Sequence, residues 1–131
     1  MTLSEKISSK ISKMNIREEF GEYWISDFSR FIPEEFLKNT DDIVFGVYLN
    51  SRTWTVLYQS KLYFSNDSVF SSVTLVEGGD LLHDHYFSKG KECKETYVKV
   101  DSGSAIWMPN PSIGSVFQHF MLFIRRSDAG R

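Results

Sequence analysis

The chain has 131 residues, of which 41% are apolar and 15% aromatic; this is enough for one globular core and too apolar for a disordered segment. Lys and Arg number 15 against 17 Asp and Glu, a net charge of −2, which argues against nucleic-acid binding because phosphate backbones demand a basic face. The one cysteine, Cys93, excludes an internal disulfide framework. No apolar run approaches the roughly 18 residues of a membrane span, and Met1–Glu5 does not read as a leader, so a cytoplasmic protein without a transmembrane segment is expected.

In chain order, Thr2 and Glu5 have capping-box spacing, and Leu3, Ile7, Ile11 and Met14 fall on one helical stripe. That stripe either lies against the rest of the fold or pairs with a second copy, giving a homo-oligomer through the N-terminal helix. A second start is read at Asn15, with Glu18 three residues on. Ile16, Phe20, Tyr23, Trp24, Phe28 and Phe31 follow at helical spacing, predicting an amphipathic helix of about four turns that Pro33 ends. Pro33–Lys38 reads as one more helical turn, with Pro at its first position. Charge is uneven: residues 1–14 carry +2, 15–42 carry −5, 43–88 carry −2 and 89–131 carry +3.

At Ile43 the apolar period changes from 3.6 to 2. Seven short runs, 43–49, 53–58, 61–65, 69–76, 81–87, 94–100 and 104–108, are read as strands bounded by turn residues such as Asn66-Asp67, Gly78-Gly79 and Ser102-Gly103. The linkers are too short for helical crossovers, so an antiparallel meander is expected. Asn110-Pro111 then opens a last helix whose stripe is Ile113, Val116, Phe117, Phe120, Met121 and Ile124, with Arg125 and Arg126 in its final turn.

This element order resembles the pleckstrin-homology superfold. The stretch Thr55-Val56-Leu57-Tyr58-Gln59-Ser60-Lys61-Leu62-Tyr63-Phe64, followed by Val69–Val73, is similar to a hairpin of bacterial PH-like domains. The resemblance implies an α+β fold in one domain: N-terminal helices over 1–42, then over 43–126 a seven-stranded antiparallel PH-like β-barrel or sandwich capped by a C-terminal helix. It implies no chemistry, since such domains serve as lipid, peptide and protein adaptors.

Candidate sites follow from residue types. On a strand over 81–87, His83 and His85 would point the same way and share a metal ion, with Glu77 or Asp80 as a third ligand; two exposed histidines at a strand edge is the competing reading. Cys93 lies among Lys91 and Lys94, which would activate its thiol, but no base or orienting group accompanies it. Neither a phosphate-binding glycine loop nor a hydrolase or zincin motif is present, so no enzyme activity and no cofactor are expected. Arg52 is the one base in the first strand–loop–strand, so a peripheral lipid site is not expected there; Lys89, Lys91, Lys94 and Lys99 form the basic hairpin. Trp54, just after a turn, is read as an exposed interface anchor.

The expected function is a non-catalytic protein-interaction module. An alternative is an immunity protein that covers the active site of a basic toxin with its acidic 15–42 segment, and another is a small metal-dependent enzyme built on His83 and His85. The partner-binding candidates are Glu18, Glu19, Glu22, Glu34, Glu35, Arg52 and Trp54, and the partner is a protein, basic under the second reading.

Overall fold

The computed structural model describes residues 2–32, 34, 42–89 and 96–129. Helices α1 (Leu3–Lys13) and α2 (Ile16–Phe20) precede a four-stranded antiparallel meander, β1 (Ile43–Asn50), β2 (Thr53–Tyr58), β3 (Lys61–Asn66) and β4 (Val69–Thr74). Then come helix α3 (Leu75–Lys89), a separate two-stranded hairpin of β5 (Tyr97–Lys99) and β6 (Ala105–Trp107), and helix α4 (Pro111–Ala129). The fold is α+β as expected, but the expected seven-stranded PH-like barrel is not formed.

The element that breaks the barrel is α3, which replaces the expected strand over 81–87 and the end of the one over 69–76. Thr74 ends β4, and its hydroxyl accepts the Glu77 backbone N–H at 3.1 Å, the N-cap bond that starts a helix. Leu75, Gly78, Leu82 and Tyr86 then form the inward stripe. Gly78 is not a turn residue: a side chain there would press on Met121 of α4 and Val73 of β4, each 3.2 Å from where its Cβ would lie. Its bare backbone lets α3 lie close to both.

The N-terminal region departs from expectation in a second place. The helix read over Ile16–Phe31 stops at Phe20, because Gly21 takes a positive φ of 53° that favours glycine. Ile25 N–H then donates to the Gly46 carbonyl at 3.2 Å, and Trp24 bridges to Val47, so the chain runs along the free edge of β1. Ile16 and Phe20 join the core on one side of the sheet, whereas Ile25, Phe28, Phe31 and Ile32 pack on the other. Aromatic spacing that mimics one helix face therefore serves two opposite sheet faces. The helical turn read over Pro33–Lys38 lies mostly outside the described residues.

Other expectations hold. Both halves of the Thr2/Glu5 capping box are made, at 3.1 and 3.2 Å. Leu3 and Ile7 are buried in the chain's own core and Ile11 packs against it, whereas Met14 at the end of the stripe is 41% exposed. Asn110 Oδ1 accepts the Ile113 N–H at 2.9 Å, capping α4 as read. Asp67 and Ser68 both take positive φ, as a two-residue turn between β3 and β4 requires.

All six residues of β2 are buried. Thr55, Leu57, Phe45, Leu62 and Phe64 face the helical side, while Trp54, Val56 and Tyr58 face the 25–32 segment. The β5–β6 hairpin sits on the helical side, where the buried Thr55 hydroxyl donates to the Trp107 carbonyl at 2.6 Å. Thr55→Val keeps the shape but strands that carbonyl. We expect it to lower unfolding free energy by about 1–3 kcal/mol in a urea titration; an unchanged midpoint would show that the bond does not anchor the hairpin.

Candidate functional site

The helical layer has α4 at its centre. Gly114, Gln118 and Met121 turn towards α3, with a methyl on Gly114 overlapping the Tyr86 hydroxyl, and Phe123 turns the opposite way, under Lys10 of α1. The pairs Gly114–Tyr86, Gln118–His83 and Met121–Gly78 run in opposite order along the two helices, so α3 and α4 are antiparallel.

The outer face of this hairpin is the candidate site. Val76, Asp80, His83 and Phe87 recur at helical spacing along α3 and point away from the core. Phe87 is 82% exposed and Val76 48%, and Leu122 on α4 is 40% exposed. The His83 ring stacks on Phe87 with centroids 5.8 Å apart at 19°, and His83 Nδ1 lies 3.2 Å from Gln118 Nε2. The Phe87 ring thus lies in solvent with His83 stacked beside it. Glu77, Asp80 and Asp84 flank it, all exposed. Among the described residues the one ion pair is Arg52–Asp67, so the three carboxylates have no basic side chain paired with them.

The residues singled out from sequence fall elsewhere or change role. Trp54 is only 2% exposed, packed with Phe70 at 5.6 Å beneath the 25–32 segment; it is a core residue and not a surface anchor. The reason is that β2 is covered on both faces. Arg52 lies 3.7 Å from Asp67 across the hairpin ends, both side chains largely in water, a contact of little energetic weight. Glu18, Glu19 and Glu22 are exposed on α2 and the turn after it, and Glu19 accepts a hydrogen bond from the Ser112 hydroxyl at the start of α4. Glu34 is exposed; Glu35, Cys93, Lys91 and Lys94 lie outside the described residues.

His83 and His85 lie on a helix, not a strand, so their side chains diverge by about 200° round the axis. His83 faces Gln118 and solvent, whereas the His85 ring meets Tyr86 edge-on at 5.2 Å. The shared metal site needed the strand geometry. Among the described residues no group of three His, Cys, Asp or Glu side chains gathers to hold a metal ion.

The signal for α3 that sequence reading missed was Thr74-Leu75-Val76-Glu77, a Thr-x-x-Glu start masked by the Gly78-Gly79 pair. The exposed Phe87 had no signal of its own. Once 75–89 is placed on a helix, its i−4 relation to His83 puts both outside.

The third histidine, His119, lies on the side of α4 towards α1. Partial burial, then the positive charges of Lys10 and Arg126, hold its imidazole below the usual range. The folded chain thus binds fewer protons here than the unfolded chain near the ordinary value of 6.5. Stability is fully present above that value and falls as the pH drops through it. We expect the melting temperature to decline on acidification from neutral pH, and His119→Gln to flatten that decline; an identical pH profile in the variant would contradict it.

Comparison with known proteins returns no family model, no curated protein and no solved structure that matches this chain, so the functional reading rests on these surfaces.

Proposed function

We propose that the protein is a non-catalytic interaction module that docks a basic protein partner on the outer face of the α3–α4 hairpin. The observation that supports this most is Phe87, an aromatic ring 82% exposed with, among the described residues, only the His83 ring stacked against it at 5.8 Å. Aromatic anchors of this kind dominate interface energetics when a partner desolvates them. Val76 and Leu122 extend the apolar contact, while Glu77, Asp80 and Asp84 supply unpaired negative charge along one side. Apolar and acidic side chains interleaved on one surface suit an amphipathic segment carrying Lys or Arg, whose charges speed encounter and whose apolar face fixes the docked state.

A second reading keeps a basic partner but moves the surface. Glu18, Glu22 and the Ser112-bonded Glu19 also reach solvent, as an immunity protein that blocks a cationic active site would use them. The two are separable with a synthetic Lys/Leu amphipathic helix as probe. In calorimetry, Phe87→Ala should weaken binding by about tenfold and Asp80→Lys with Asp84→Lys should abolish it, with far-ultraviolet circular dichroism unchanged because all three positions are exposed. Equal affinity in these variants, with loss instead in Glu18→Lys/Glu19→Lys/Glu22→Lys, would overturn the α3 surface and support the second reading.

A further inference from the structure

A second surface lies across α4 from the first. The basic segment 1–14 meets the last helix at a groove of about 330 Å³ between α1 and α4, lined by Lys6, Ser9, Lys10 and Lys13 of α1 and Phe123 of α4. Lys6, Lys10 and Lys13 recur at helical spacing and share one face of α1. The Lys10 ammonium stands over the Phe123 ring, 4.9 Å from its centroid, which fixes one cation above the floor. Arg126, one turn beyond Phe123 on α4, adds a further positive charge, felt together with that of Lys10 at His119. Among the described residues none of these four cations is paired with a carboxylate, since the one ion pair is Arg52–Asp67. Glu5, the acid of α1, is turned back onto the Thr2 backbone.

Like charges gathered without counter-charge are kept apart only by solvent, and an anion placed between them relieves the repulsion. The lysine stems and the Phe123 ring give the groove an apolar wall below its charged rim. We propose that this groove binds an acidic peptide segment of a partner protein, with carboxylates towards Lys6, Lys10 and Lys13 and an apolar side chain against Phe123. The size of the stripe favours a short segment: from Lys6 to Lys13 the helix rises about 10 Å, two helical turns.

This site is independent of the α3 surface and takes a ligand of opposite charge. The test uses a fluorescein-labelled Glu/Leu peptide, with anisotropy read at low and high salt. Saturable, salt-sensitive binding that Lys10→Glu weakens by about tenfold or more, that Lys6→Glu/Lys13→Glu weakens likewise, and that Phe87→Ala leaves intact is the result expected. Lys6 and Lys13 are exposed, so the double variant still folds. Absence of saturable binding, or affinity unchanged in both lysine variants, overturns the proposal. So does tighter capture by phosphatidylserine vesicles or single-stranded DNA than by the peptide, which would assign the groove to a membrane or a nucleic acid.

Discussion

The structure is governed by the burial of β2 on both faces. A strand with six buried residues needs apolar cover above and below, and this one chain supplies it from different segments. On one side α1, α2, α3, α4 and the β5–β6 hairpin share a continuous core. On the other the 25–32 segment closes over Trp54, Val56 and Tyr58. Phe45 shows how the first side is tied together: its ring meets Phe20 of α2 at 5.1 Å and Phe117 and Phe120 of α4 at 5.0 and 4.9 Å, all near edge-on. Such pairs add to the apolar burial that holds the helices on the sheet.

Because the sheet is covered on both sides, its side chains are largely spent on packing, and the proposed binding surfaces lie on the outside of the helical layer. There α4 acts as a partition. Its α3 side presents an exposed aromatic among carboxylates, and its α1 side presents a lysine-rimmed groove floored by Phe123. A net charge of −2 conceals this separation. Two surfaces of opposite sign on one helical layer would suit the proposed adaptor between unlike partners.

Much of the fold was legible in the residues. The capping box of α1 and the N-cap of α4 are local chemistry, and the Thr2/Glu5 and Asn110 bonds are made as read. Strands β1 to β4 and the exposed–buried–exposed pattern of Tyr97–Lys99 followed from a period of 2. The errors came where tertiary packing overrode a local signal. Gly78-Gly79 reads as a turn, yet Gly78 is selected by the close approach of Met121 and Val73. Apolar residues from Ile16 to Phe31 keep helical spacing, yet Gly21 redirects the chain and divides them between two cores. The site was less legible still. Trp54 looked like a surface anchor and is core, and the groove joins Lys6 to Phe123, residues far apart in sequence whose meeting no spacing encodes.

The most direct test of a partitioned helical layer is a backbone chemical-shift map of the full chain, titrated first with a Lys/Leu peptide and then with a Glu/Leu peptide. Two separate footprints are expected, the first on the outward positions of α3 with Leu122, the second on Lys6–Lys13 and the Phe123–Arg126 turn, with β2 silent in both. One footprint common to the two peptides, or shifts centred on the sheet, would contradict it.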